Sequence, residues 1–451
     1  MYFRGALAIM LGVVMLAGGL AAVRFWSTLH AISPRTQPQD IVTLVHAQTD
    51  DPASLAYKIK HGQRINILLL GYGGPGHDGP YLTDSIMLLS IQPASRQAIM
   101  VSLPRDLYAR IPALPNKRTM TAKLNSAYAI GSDHASYPNV RSDWKTPTGG
   151  GDLAAATVSQ ITGQPIDYWV AVDFKAFRDV VNALGGIRVD VPAPLDDPYF
   201  PAGETTGMMH IHFNPGWQQM NGEQALEYAR SRETTSDFDR SRRQQLIMLA
   251  VRQRVVSLNA IPKMFSVLGA LQDNVRTNLR PQDMRQLADL AGQMKDADIR
   301  RVAIDTTNFL ESGYSRDGQY ILQPLDLSYG SLQRYLAAVL PGRSVLARPV
   351  AFAIEDGSRS YRVPYGAGTP ASITSALLQA IGLNASSGPA SRLPVAQTEI
   401  LDGSGGSAAP LVAWLQSYFG AAVKTVAAPS AGPAVTVVLG SDFTGKAFPY
   451  R

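Results

Sequence analysis

The chain contains no cysteine. That excludes a disulfide scaffold, a thiolate zinc site and a cysteine nucleophile, and it suits either side of a membrane. Neither GxxxxGK[ST] nor a GxGxxG that opens a helix is present, so the usual nucleotide-binding loops are not supported. The Gly71–Pro80 loop, GYGGPGHDGP, reads as a turn that can still offer backbone N–H groups to an oxyanion. Charge is scarce at 17%, against a hydrophobic fraction of 45% that is ordinary for a globular protein. Acids are fewer than bases, 35 against 41, giving a net charge of +6 and a pI near 9.3. This balance favours an anionic partner without choosing among nucleic acid, anionic lipid and phosphorylated glycan.

Long apolar runs are scarce too, but Ala6–Val23 (ALAIMLGVVMLAGGLAAV) is long enough to span a bilayer with help from its flanks. A cleaved signal peptide is the rival reading. Arg24, Phe25 and Trp26 stand where small residues would mark cleavage, which favours an uncleaved anchor over 1–26, and Trp26 suits the interface. Residues 27–60 are polar and Pro-containing, a juxtamembrane stalk. With 451 residues, two domains plus appendages are expected: 61–342, with its core at 64–260, and 346–451.

The most densely charged stretch is Glu227–Gln245, EYARSRETTSDFDRSRRQQ, in which arginines alternate with acids. Guanidinium groups grip oxyanions two-pronged, so this spacing suits a phosphate or pyrophosphate; a solvated, salt-bridged helix face is the plainer alternative. Asn221 is placed to cap a helix through Arg230, and a second helix is predicted from about Asp239 to Ser257. On it Arg240, Arg243 and Gln244 share a face near the positive N-terminal end, whereas Arg242 points elsewhere. The oily positions that follow, from Leu246 and Ile247 onward, read as core, or as the lining of a tunnel for a lipid tail.

Upstream, Ile65–Leu70, Ser85–Ile91 and Ala98–Leu103 read as buried strands, the last two joined by a hairpin turn. An antiparallel pair would bring Asp84, before one strand, to Arg105 and Asp106, after the other. Thr121–Tyr128 reads as the start of a short helix. Strands Tyr168–Val172 and Ile187–Val191 then alternate with helices Leu153–Ile161 and Phe174–Leu184, the latter stopped at Gly185-Gly186, so an α/β sandwich is expected. His210-x-His212 puts two imidazoles on one side of a strand, with no further zinc ligands in sight. In the last region AIEDGS (353–358) is echoed by EILDGS (399–404), each before a helical run, which predicts two small β-α-β units joined by a flexible linker, Asn384–Leu393.

In order along the chain, NILLLG (66–71), LTDSIMLLSI (82–91), SLPRDLYARIP (102–112), AKLNSAYAIG (122–131), the 166–192 segment, GWQQMNGEQALEYARSR (216–232) and DFDRSRRQQ (237–245) resemble the LytR-CpsA-Psr family. The resemblance implies an α/β/α sandwich around a central mixed sheet, outside an anchored membrane face, whose core takes a polyprenyl chain. It implies transfer of a glycopolymer from a polyprenyl-pyrophosphate carrier to a wall acceptor such as peptidoglycan. Carried over by position, Arg105, Arg230, Arg232, Arg240 and Arg243 would grip the pyrophosphate, assisted by Lys123 and Gln244. Asp84 would help bind Mg²⁺, and Asp106 and Asp237 would organise the arginines or the metal. The family's first strand usually ends in Gly-x-Asp; here it reads Gly71-Tyr72-Gly73, with Asp78 as a candidate substitute. The second β-α-β unit, with VTVVLG at 435–440 as its expected closing strand, resembles the accessory domain of some members.

Arginines and a divalent cation suit departure of a phosphate, hard oxygen ligands favour Mg²⁺ or Mn²⁺, and Asp84 or Asp106 could take the acceptor's proton. Two other readings compete. A non-catalytic wall-binding or scaffold protein would keep the fold without needing its arginines. A nucleic-acid binder is opposed by the apolar N-terminus and by the acids among the arginines.

Overall fold

A computed structural model describes residues 51–201, 207–232, 237–257, 274–306, 309–325, 328–340, 350–358, 369–380, 383–391 and 394–443. The expected anchor and most of the stalk lie outside these residues. Among the described residues no helix is long and apolar enough to cross a membrane.

The apolar runs become strands buried on both faces. Six of them, β1 (Ile65–Tyr72), β2 (Thr83–Gln92), β3 (Gln97–Ser102), β4 (Tyr168–Asp173), β5 (Val275–Thr277) and β6 (Ile299–Ala303), form one sheet in the order β5-β4-β1-β2-β3-β6. Pairing is antiparallel for β1–β2, β2–β3 and β4–β5, and parallel for β1–β4 and β3–β6, so the sheet is mixed. Because side chains alternate along a strand, Leu68, Leu70, Ile86 and Leu88 face one layer while Ile65, Ile67, Met87 and Ile91 face the other.

Helices cover both layers. The described helices are α1 (Leu55–Lys60), α2 (Ser126–Ser132), α3 (Gly149–Thr162), α4 (Phe174–Ala183), α5 (Gly222–Arg230), α6 (Asp237–Ser257), α7 (Pro281–Gly292), α8 (Gly330–Val339), α9 (Pro370–Ala380) and α10 (Ala409–Phe419). Apolar side chains of α2, α3 and α8 pack on the Leu68 side, and those of α1, α6 and α7 on the Ile67 side, which makes the α/β/α sandwich. A smaller cluster joins α4, α5 and α6 to the strands Ile187–Val191, Leu195–Pro201, Met208–Phe213 and Gly216–Met220.

Local signals set these boundaries. Asp173 caps α4 by accepting from Ala176 N at 2.8 Å, and Gly185 and Gly186 end it at φ +74° and +84°. Asn221 and Gln224 form a capping box on α5. The predicted helix from Thr121 is corrected: Met120–Lys123 is a strand paired with Tyr108–Ile111, and the helix starts only at Ser126. The pairing with 108–111 overrides the local helical pattern and carries Lys123 to the turn that holds Asp106.

Helix α3 opens on three glycines because its first turn is hemmed in on several sides: a Cβ on Gly149 would strike the Trp144 carbonyl, one on Gly150 the Ser132 hydroxyl of α2, and one on Gly151 the sheet. A Cβ on Gly151 would come within 2.2 Å of the Trp169 ring, which is 2% exposed and held by an indole N–H bond to Asp152 Oδ1 at 2.9 Å. Gly151→Ala is therefore expected to destabilise the fold by about 1–3 kcal/mol, read from the denaturant midpoint at constant m; an unshifted midpoint would show that α3 moves aside freely.

The C-terminal region bears out the internal echo. Strands β7 (Phe352–Asp356), β8 (Ala385–Ser387), β9 (Glu399–Asp402), β10 (Ala422–Thr425) and β11 (Val435–Leu439) form a second sheet in the order β8-β7-β11-β9-β10. β7-α9-β8 and β9-α10-β10 are two parallel crossover units; the strand expected to close the second, at 435–440, is corrected, because Ala422–Thr425 closes it and β11 lies between the units, parallel to β7 and antiparallel to β9. The segment expected to be a flexible linker contributes β8 instead, because Ala385 enters the core and Gly388 N donates to Ile354 O at 2.7 Å. The core is continuous from Leu336 and Leu340 at the end of α8 to Leu415 on α10.

Candidate functional site: a cationic mouth over an apolar cavity

The β2–β3 hairpin builds one side of the site. Met87 pairs with Ser102 and Leu103 N donates to Ile86 O at 2.9 Å, so continuing the register sets Asp84 opposite Arg105. Arg105 Nη1 donates to Asp84 Oδ1 at 2.9 Å and its Nε to Asp106 Oδ2 at 3.2 Å. Lys123 Nζ donates to the other Asp106 oxygen at 2.8 Å. Asp106 is buried, gripped from two sides, whereas the Asp84 side chain is 43% exposed.

The arginine-rich segment builds the other side. Arg240 Nη2 donates to the Asp84 backbone carbonyl at 3.4 Å, and Gln244 accepts from Ser85 Oγ at 3.0 Å, so α6 is tied to the start of β2. Gln244 also donates to Ala229 O at 3.4 Å, which binds α6 to the end of α5. Arg230, the last residue of α5, lies over the Phe174 ring at 4.4 Å and the Phe200 ring at 5.3 Å. Burial lowers its pKa from the ordinary arginine value, and the two ring faces support the cation that remains.

These groups ring one cavity of about 360 Å³, lined by Asp84, Arg105, Arg230, Arg232, Arg240 and Gln244 at its polar side. Most of its remaining wall is apolar, with Leu69, Met87, Val170, Phe200, Ile247 and Met248 among the lining residues, beside Ser85, Asp173 and Asp197. Of the oily α6 positions, Ile247 and Met248 face this space, while Leu246 and Ala250 belong to core packing. Such an arrangement can hold an amphiphile with a multiply charged anionic head.

Not every expected residue arrives there. Arg243 lines no part of the cavity: buried at 7% exposure, it donates through Nε to Tyr228 O at 2.9 Å and through Nη2 to Ser231 O. A quarter turn separates it from Gln244 on the helix, enough to send it toward the carbonyl end of α5. Burial lowers its pKa, as it does that of Arg230. Arg242 is exposed and paired with Asp239 at 3.1 Å, outside the cluster as expected. Lys123 reaches the site only through Asp106. Asp78 is an exposed turn residue outside the cavity lining; of Asp237 the structure describes only its place at the start of α6.

Sequence reasoning missed Asp173, Phe174, Asp197 and Phe200, all of which line the cavity. Asp173 carried a signal, being an acid between a strand and a helix. Asp197 and Phe200 carried none: they come from the Leu195–Pro201 strand, whose folding back over α5 is a tertiary event. Asp197 is fully buried and accepts from Ser231 Oγ at 2.7 Å, which steadies the loop bearing Arg232.

The ligands available to a divalent cation are few. Among the described residues no group of three or more His, Cys, Asp or Glu could hold a metal. His210 and His212 both spend a ring nitrogen on Asp196 Oδ1, at 2.7 and 2.9 Å, on an exposed face. Of the cavity's carboxylates, Asp173 is engaged by Ala176 N and Asn274 and Asp197 by Ser231, which leaves Asp84 for a cation that draws its other ligands from phosphate oxygens and water.

Comparison with known proteins follows the same outline. Polyisoprenyl-teichoic acid–peptidoglycan teichoic acid transferase TagU of Bacillus anthracis is 30% identical over 289 residues, 63% of this chain and 81% of that protein. The corresponding transferase TagV of Bacillus subtilis is 32% identical over 221 residues, 48% of this chain and 50% of that protein. The crystal structure of B. subtilis TagV aligns with a TM-score of 0.47 at 27% identity, covering 61% of this chain and 96% of that one. The LytR_cpsA_psr family model matches residues 31–337. The chain belongs to the LytR-CpsA-Psr family.

Proposed function

We propose that this chain is a membrane-anchored transferase that moves a glycopolymer from a polyprenyl-pyrophosphate carrier to a wall acceptor such as peptidoglycan, with its globular part on the extracytoplasmic side. One observation carries this reading: Arg105, Arg230, Arg232 and Arg240 line one cavity together with many apolar side chains. The names of the TagU and TagV relatives support it.

The reaction transfers a phosphoryl-linked polymer. The acceptor hydroxyl oxygen forms a bond to the sugar-linked phosphorus, the bond from that phosphorus to the bridging oxygen breaks, and polyprenyl phosphate leaves. Negative charge grows on the leaving oxygen, and preorganised guanidinium groups in a site partly closed to water stabilise it. Asp106, saturated by Arg105 and Lys123, holds those cations in place. Asp84, at the mouth and more exposed, is the carboxylate placed to receive the hydroxyl proton or to hold a cation. A bound Mg²⁺ or Mn²⁺ would neutralise phosphate charge; Asp84 is the residue of this chain that would hold it.

The test is recovery of the carrier. Full-length protein purified from a host that makes polyprenyl phosphates should yield polyprenyl phosphate or pyrophosphate on organic extraction and mass spectrometry. Ile247→Trp, which fills the cavity from a position 2% exposed, should lower that yield about tenfold or more while the protein stays folded by circular dichroism. Equal recovery from wild type and variant, or none from wild type, would sink the proposal.

A further inference from the structure

The hairpin Leu310–Tyr314 and Tyr320–Pro324 takes no part in the cavity, yet it stands beside the site's most charged turn. Leu322 N donates to Asp106 O at 2.9 Å, and Leu322 bridges to Leu107, so the hairpin is hydrogen-bonded to the backbone that carries Arg105 and Asp106. A strand rises about 3.3 Å per residue, so Tyr320 lies roughly 7 Å further along from that bond. Tyr314 and Tyr320 are register partners across the hairpin, with ring centroids 6.3 Å apart in an edge-to-face arrangement. Tyr314 is 76% exposed and Tyr320 43%. The two rings thus form a paired aromatic surface at the end of a hairpin whose Ile321 and Leu322 are buried.

The turn beyond the rings is polar and internally hydrogen-bonded. Gly318 N donates to Ser315 O at 3.0 Å, Ser315 Oγ to Asp317 Oδ1 at 2.5 Å and Gln319 Nε2 to Asp317 Oδ2 at 2.7 Å. The Ser315 hydroxyl holds the Asp317 carboxyl below its usual range, and Lys123 adds to the effect, which puts this turn within electrostatic reach of the Asp106 partner. Rigid aromatic faces bordered by hydroxyl, carboxylate and amide groups match a sugar ring, which offers a flat C–H face and a rim of hydroxyls. Tyrosine gives such contact area at low entropic cost.

We propose that Tyr314 and Tyr320 form a glycan subsite beside the mouth, stacking a sugar ring of the polymer being transferred or of the acceptor chain. The proposal rests on the cavity taking a polyprenyl pyrophosphate, because the bond that is remade then lies at Arg105, and sugars on either side of it emerge next to this hairpin.

The experiment is calorimetric titration of the full-length protein in detergent micelles with three probes: farnesyl diphosphate, farnesyl diphospho-N-acetylglucosamine and chitotetraose. Wild type is compared with Tyr314→Ala/Tyr320→Ala and Tyr314→Phe/Tyr320→Phe. The alanine pair should bind farnesyl diphosphate as wild type does and bind a sugar-bearing probe about tenfold more weakly; the phenylalanine pair should stay near wild type. Loss confined to chitotetraose assigns the rings to the acceptor, loss confined to the glycosylated diphosphate assigns them to the donor polymer, and either outcome supports the subsite. Undiminished binding of both sugar probes, or wild type binding neither more tightly than the alanine pair, overturns it. Failure of wild type to bind farnesyl diphosphate would instead overturn the proposed function.

Discussion

Arg105→Ala is expected to lower kcat/KM for glycopolymer transfer by about 10²–10³-fold, measured as polyprenyl phosphate released from a lipid-linked donor. Arg105 bonds both Asp84 and Asp106, at 2.9 and 3.2 Å. Its loss removes a two-pronged donor from the mouth and leaves the carboxylates of Asp84 and Asp106 facing an incoming pyrophosphate with less compensation. The fold should lose only about 1 kcal/mol, because Asp106 keeps Lys123 at 2.8 Å and Arg105 lies at the surface of the site. Arg105→Lys should recover part of the rate and not all of it, since an ammonium cannot span two acceptors with the geometry of a guanidinium. Unchanged kinetics in the alanine variant would remove Arg105 from the phosphate site and favour a wall-binding protein without catalysis.

Whether a site residue was legible in the sequence depended on how its position was fixed. Asp84 and Arg105 could be paired in advance because a hairpin with a short turn leaves only one register that buries both apolar runs. Asn221 and Gly185 could be placed because caps act within a few residues of themselves. The β-α-β halves around Asp356 and Asp402 were legible because the sequence states them twice. Lys123 was misplaced on a helix: four residues paired with a distant-looking strand carry too little pattern to outweigh a local one. Phe174 and Phe200 meet only when the Leu195–Pro201 strand folds over α4 and α5, and nothing in either segment announces the other. The same limit governed Arg243. Its spacing from Arg240 put it on the right stretch of helix, but spacing does not say which neighbour waits at each angle around the axis, and at this angle the neighbour is the carbonyl end of α5.

Arg243→Ala should therefore fail differently from Arg240→Ala. Tyr228 O and Ser231 O lie at the helix end where carbonyls lack intrahelical donors, and Arg243 supplies a guanidinium to both. Truncation leaves these acceptors unpaired and opens a hole between α5 and α6, a combined loss of about 3–5 kcal/mol. That corresponds to a fall in Tm on the order of 10 °C. Arg243→Met refills the hole without restoring the donors and should regain roughly 1–2 kcal/mol. Arg240 lines the cavity and reaches the Asp84 carbonyl at 3.4 Å, and it is buried at 6% exposure, so its removal should cost rate as well as some stability. The pair separates the two roles: at a temperature where Arg243→Ala is still folded, transfer per folded molecule should be within a few-fold of wild type, whereas Arg240→Ala should be about 10²-fold slow at any temperature. A fully stable but inactive Arg243→Ala would return that arginine to the phosphate clamp and show that the bonds to α5 break when the carrier binds.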